Sequence, residues 1–198
     1  MIPLPVARFL PVQPTAELVF GLARPDKSCA TVQLAAARSG DGTTALARDM
    51  AVVAAGPAGL RVLLVCVEPI NNWPGGLMNP ARLMDVDAAG LRQVAGSTLR
   101  IAALMGGEAP LTWLGRLRDW RPSFDLIVID SPAIDRSAAC VLLAPHVDAT
   151  LLVVGAETTP MEAVIALRNR LWHVGGAVKG TLFNKQRRYL PRMLDAML

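Results

Sequence analysis

Of the 198 residues only one is tyrosine, Tyr189, and only two are histidine, His146 and His173. Neither histidine has a metal or base partner at a usable spacing, so neither reads as a ligand or a catalytic base. Tyr189 lies in Arg187-Arg188-Tyr189-Leu190-Pro191 and reads as a packed aromatic rather than a phosphoacceptor. The three cysteines, Cys29, Cys66 and Cys140, are far apart and odd in number, which excludes a disulfide framework and a Cys-based metal site. They read as buried free thiols of a cytosolic protein. No apolar run reaches the ~18 residues that span a bilayer. The net charge is +4 and the pI about 9.4, but no Lys/Arg block marks a nucleic-acid groove, and no nucleic-acid partner is expected. Repeats and low-complexity segments are absent. Pro3, Pro5, Pro11 and Pro14 break the apolar N-terminus, which reads as an extended arm over 1–16 and not as a signal peptide. What is plentiful is apolar side chain, 53% of the chain, enough for one well-buried domain over 17–198.

That domain is organised around Ala35 to Met50. The strand-like run 30–36 leads into Arg38-Ser39-Gly40-Asp41-Gly42-Thr43-Thr44, and an Ala/Leu/Met-rich helical run follows to Ala55, with Gly56-Pro57 as its stop. Strand, glycine-bearing loop and helix form the layout of a phosphate-binding loop. Glycines let consecutive N–H groups face one anion, and the helix N-terminus adds partial positive charge. Thr44 suits a magnesium ligand. The standard pattern is G-x-x-x-x-G-K-[ST]; here Ala37 takes the leading glycine position and Thr43 the lysine position.

Further along, the spacing predicts strands at 61–67, 98–104, 126–129, 150–154 and 178–183, and helices at 17–24, 111–120, 136–145 and from Thr159 to about Val174. Thr159-Pro160-Met161-Glu162 reads as a capping box. Residues 81–85 and 88–94 read as short helices in an irregular stretch. Apolar strands alternating with helices imply an α/β, P-loop NTPase-like fold: a mostly parallel sheet with helices on both faces. Ligands of such sheets sit at the carboxyl ends of the strands. The loop at 38–44, Glu68, Asp130 and Asn184 all lie just past strand ends, so they converge on one edge. The tryptophans Trp73, Trp113, Trp120 and Trp172 read as packing residues.

These stretches resemble the bacterial tyrosine autokinases of capsule and exopolysaccharide export. Those kinases belong with the chromosome-partition and septum-placement ATPases to one class of deviant P-loop proteins. Phe124-Asp125-Leu126-Ile127-Val128-Ile129-Asp130-Ser131-Pro132 is similar to the family's FDxVIIDTPP segment. The loop matches P-G-E-G-K-S/T apart from the lysine. Val147–Val154 and Val178–Lys185 complete the resemblance, in the same order and spacing. It implies ATP and Mg2+ as cofactors, with phosphates on Gly40, Asp41, Gly42, Thr43 and Thr44 and magnesium on Thr44 and Asp130. It further implies an adenine contact from Asn184. Arg38 sits where the partition ATPases carry a second lysine that reaches a dimer partner's phosphates.

The departures bear on activity. The strand at 61–67 ends in Cys66 and Glu68 where the family has D-x-D; Cys66 reads as a core thiol, and Glu68 as an acid replacing a shorter one. The E-x-x-R-x-x-R assembly motif is absent, since Glu17 is followed by Phe20 and Ala23, and there is no tyrosine tail. Three functional readings follow. The first is a pseudo-kinase, cytoplasmic and tied to the inner membrane through a membrane polysaccharide co-polymerase. The second is an active ATPase or tyrosine kinase in which Arg38, Glu68 and Asp130 do the catalysis. The third is a positioning protein that forms a nucleotide-gated homodimer.

Overall fold

The architecture is built on five apolar runs that become strands buried from end to end or nearly so. A computed structural model describes residues 12–22, 29–67, 83–87, 90–104, 108 and 110–185. Along these the order is α1 (Val12–Leu22), β1 (Ala30–Ala36), α2 (Thr43–Ala55), β2 (Val62–Val67), β3 (Leu83–Val86), β4 (Arg92–Val94), β5 (Leu99–Leu104) and α3 (Pro110–Trp120). Then come β6 (Leu126–Asp130), α4 (Ala139–Leu143), β7 (Ala149–Gly155), α5 (Met161–His173) and β8 (Val178–Asn184).

One eight-stranded sheet runs in the order β3-β4-β5-β2-β6-β1-β7-β8. The pairs from β5 to β8 are parallel, and only β3–β4 and β4–β5 are antiparallel. Strands β1, β2, β6 and β7 are buried at every residue. Val, Ile and Leu on both faces of these strands explain this, because helices cover the sheet twice. On one side Val19 of α1 and Leu46 and Met50 of α2 pack on Val32, Leu34 and Leu64. On the other, Trp113, Leu117 and Trp120 of α3 meet Leu63, Ile127 and Ile129, while Leu167 and Leu171 of α5 meet Ala35 and Leu152. Each fully buried leucine or isoleucine contributes roughly 1.5–3 kcal/mol. Strand β8 is one edge and alternates between exposed and half-buried residues.

Five local expectations are corrected. Residues 83–86 and 92–94 are strands rather than helices. The Asp87 carboxylate accepts the Leu91 N–H at 2.9 Å and Gly90 adopts φ 76°, so the chain turns back and pairs on β5, burying Leu91 and Val94. The segment 136–145 yields only the five-residue α4 and a 3-10 turn, Ala144–His146, because Pro145 has no N–H to extend the helix. Helix α5 starts after Pro160 with no side-chain cap, so the capping box does not form; the Thr159 hydroxyl is used elsewhere. The first helix begins at Val12, earlier than expected. Trp172 is also not a core residue: it is 56% exposed, with Arg168 stacked 4.8 Å from its ring centroid.

Candidate phosphate-loop site

The site begins where β1 ends. Its register puts Leu34 beside Asp130 of β6 and Leu151 of β7, and Cys66 of β2 lies on the other side of Asp130. Strand β6 therefore ends at Asp130, with β2 running one residue and β1 two residues further, and the loop after β1 leaves from between β6 and β7. Helix α2 begins immediately after the loop. It has no glycine or proline between Thr43 and Ala55, and ten of its thirteen residues are buried, so it is a firm base for the loop.

Gly40 and Gly42 have φ 91° and 98°, in the left-handed region. At Gly42 space matters too, since a Cβ there would lie 2.1 Å from Asn184 Nδ2. Three side chains from elsewhere hold the loop. The Asn184 amide at the end of β8 donates to Asp41 O at 2.8 Å. Thr159 donates its hydroxyl to Asp41 Oδ1 at 2.5 Å, and Asp41 is only 3% exposed. Asp135, beyond β6, accepts the Ser39 N–H at 2.9 Å and the Ser39 hydroxyl at 2.8 Å. Those two bonds hold the Asp135 carboxyl below the usual aspartate range, and the charges of Arg38 and Arg136 help.

A cavity of about 190 Å³ opens above the strand ends. Arg38, Gly40, Gly42, Thr43, Thr44 and Asp130 line it, together with Ser39, Cys66, Val67, Ser131, Pro132, Ala133 and Arg136. Six residues named from sequence thus meet on one surface. Asp41 and Asn184 are not on it: both are spent on the loop's framework, and the side-chain Oδ1 of Asn184 accepts the Lys185 N–H at 2.9 Å. Glu68, Trp73 and Tyr189 lie outside the described residues. Sequence reasoning did not single out Arg136, whose only signal was its place a few residues beyond Asp130.

Among the described residues the cavity offers cations, backbone donors and the carboxylate of Asp130, which is 7% exposed. Cys66 is 2% exposed, and burial, helped by the Asp130 charge, pushes its thiol well above its ordinary value. It stays protonated at neutral pH and is neither base nor nucleophile. Arg38 is exposed and forms no salt bridge among the described residues. Among those residues no three His, Cys, Asp or Glu gather as a metal cluster. His146 is exposed on the far turn, and the ring of His173 is engaged with Asn169 O at 2.6 Å.

No protein-family model matches the sequence, and no curated protein does. Solved structures do match. The BceF tyrosine kinase domain aligns at a TM-score of 0.65 and 17% identity, over 87% of this chain and 76% of its own. The MinD cell division protein of Aquifex aeolicus aligns at 0.68 and 18% identity, over 85% of this chain and 73% of its own. The septum site-determining protein MinD of Pyrococcus horikoshii OT3, solved with Mg-ADP, aligns at 0.60 and 16% identity, over 84% and 75%. At such identities the likeness establishes the fold: a P-loop NTPase-like α/β domain of the kind found in tyrosine kinase domains and MinD proteins.

Proposed function

We propose that this chain is a tyrosine-autokinase-like P-loop domain that binds nucleotide weakly and is deficient in phosphoryl transfer. In this reading it is a cytoplasmic regulator or partner of a membrane polysaccharide co-polymerase in bacterial exopolysaccharide or capsule synthesis. Thr43 is the observation that carries it: a neutral residue stands on the cavity wall at the lysine position of the loop. The polysaccharide setting rests on the resemblance to the export kinases, since a fold alone does not assign a function. No helix among the described residues is long and apolar enough to cross a membrane, which suits attachment through a partner.

The residues present fit a magnesium-bound nucleotide in part. Gly40 and Gly42 give the loop its cradle shape, and the backbone from Gly40 to Thr44 would hold phosphate oxygens. Thr44 and Asp130 line the same cavity and would hold the magnesium ion. When bound, that ion would offset charge on the phosphates. A lysine contact is worth roughly 1.5–3 kcal/mol as a charge-assisted bond. Its loss therefore costs about 10- to 100-fold in affinity. Catalysis suffers more, because electrostatic stabilisation is most of what a protein supplies to phosphoryl transfer.

Calorimetry with Mg-ATP on wild type and Thr43→Lys tests this reading. The variant should bind about 10- to 100-fold more tightly, and wild type should release no phosphate and make no phosphotyrosine. Wild-type turnover that disappears in Asp130→Ala would refute it. Arg38 favours one second reading, an active enzyme in which its guanidinium takes the lysine's place, because it lines the cavity and forms no salt bridge among the described residues. Turnover in wild type, lost on Arg38→Ala, is the result that reading requires.

A further inference from the structure

We infer that the outer face of α5 is a self-association surface, on which a second copy of this chain packs its own α5 antiparallel to the first. The contact needs no nucleotide, since among the described residues none from α5 lines the phosphate-loop cavity. Its first support is a row of side chains. Met161, Ile165, Arg168 and Trp172 recur at i, i+4, i+7 and i+11, so they lie along one side of the helix. Leu167 and Leu171, on another side, make the contact with the sheet. The row itself is left outside: Met161 is 59% exposed, Ile165 41% and Trp172 56%. Phe183 of β8 adds to it. Leu182 packs with the core on the α1 and α2 side, so its neighbour Phe183 points to the α5 side, where it is 63% exposed. Single exposed apolar residues are ordinary on a protein surface, but an aligned row marks a place of contact. Met, Trp, Phe and Arg are also the residue types that protein interfaces concentrate.

Charge selects the occupant. Residues 161–166 of α5 carry one acid, Glu162, and no base; residues 167–173 carry Arg168, Arg170 and His173 and no acid. Glu162 forms no ion pair among the described residues, and no base stands three or four positions after it on the helix. Arg168 forms no ion pair among them either. Its guanidinium donates to Asn169 Oδ1 at 3.3 Å and stacks 4.8 Å from the Trp172 ring centroid, and its buried Nε has no hydrogen-bond partner among the described residues. A second α5 laid parallel would set arginine on arginine. Laid antiparallel and in register, it sets the acidic end on the basic end and opposes the helix dipoles. Met161 then meets the second copy's Trp172, a favourable thioether–indole contact, and Ile165 meets its Arg168. Glu162, one turn before Ile165, comes within reach of the same arginine. Because the contact is isologous, each of these pairs occurs twice. An acidic peptide of another protein, or an anionic lipid surface, would match the basic half and leave Glu162 facing like charge.

Sedimentation velocity of the full chain over a range of concentrations, with and without Mg-ATP, is the test. Wild type should pass from monomer to dimer as concentration rises, equally in both conditions. Trp172→Ala should raise the dimer dissociation constant about thirtyfold or more, since a central tryptophan is lost from both sides of one interface. Glu162→Lys and Arg168→Glu should each stay monomeric where wild type is a dimer. An equimolar mixture of those two variants should form a dimer, because the mixed pair restores opposite charges at both contacts. Arg118→Glu, exposed on α3, is the charge control and should match wild type. Circular dichroism checks folding, and if any of the three α5 variants does not fold, Met161→Ala should weaken the dimer about tenfold in its place. A monomer at every concentration overturns the inference, whether the face is then bare or covered by another part of the chain. So does a dimer that forms only with Mg-ATP, a dimer unmoved by Trp172→Ala or Met161→Ala, or a mixture of the two charge variants that stays monomeric. Assembly beyond a pair also overturns it, because an isologous contact closes at two copies. None of these outcomes touches the nucleotide reading, which stands or falls on binding.

Discussion

Replacing Gly42 by alanine asks the loop to accept two separate costs. The first is conformational: at φ 98° an L-residue is held in the left-handed region, which costs roughly 1–2 kcal/mol. The second is steric. The new methyl carbon would lie 2.1 Å from Asn184 Nδ2, so the amide must leave and its bond to Asp41 O is lost. A net hydrogen bond contributes roughly 0.5–1.5 kcal/mol. The expected destabilisation is about 1.5–3.5 kcal/mol. Gly40 supplies the internal control, because it has φ 91° but open space around a Cβ. Gly40→Ala should therefore cost only the conformational part, about 1–2 kcal/mol. Urea unfolding of both variants, followed by circular dichroism, measures the difference. Repeating Gly42→Ala in an Asn184→Ala background removes the obstacle, and its cost should fall to that of Gly40→Ala. Equal costs for the two glycines in the wild-type background would refute the account, as would an undiminished cost once Asn184 is truncated.

Two further expectations concern titratable groups. Burial pushes the Cys29 and Cys140 thiols up to about 11 and the Cys66 thiol well above its ordinary value, so a thiol reagent at pH 8 should label none of the three until the chain unfolds; prompt labelling of native protein would contradict their burial. The Asp135 carboxyl is held below its unfolded value by Ser39, so the latch contributes stability above the unfolded aspartate pKa of about 3.9 and loses it as pH falls through the lower folded value. The Ser39 amide resonance should stay constant through neutral and mildly acidic pH and move only below that range; a midpoint at or above the ordinary aspartate value would remove the latch.

The sequence announced the central strands because each is an apolar run long enough to be covered on both faces. Val62–Val67 and Leu126–Asp130 would read so in any context. Strands β3 and β4 did not announce themselves, since Leu83–Val86 and Arg92–Val94 owe their form to pairing on β5 and to a turn made by Asp87 and Gly90. The signal at Thr159 was genuine but local: its hydroxyl found a buried carboxylate 118 residues away instead of the helix N-terminus. Of the site, the loop residues and Asp130 were legible because strand ends are legible. Arg136 was not, because its place depends on a contact between Ser39 and Asp135, 96 positions apart. Asn184 was legible as a strand-end residue, yet its amide serves the loop rather than the cavity.

Three side chains hold the loop: Asp135 grips Ser39, Thr159 grips Asp41, and Asn184 braces the Asp41 carbonyl. A loop braced in this way is preorganised. An arriving anion has no closure to drive and little backbone entropy to remove, so more of each contact appears as affinity. Association should then be fast and independent of loop opening, with weak binding showing as rapid departure rather than slow arrival.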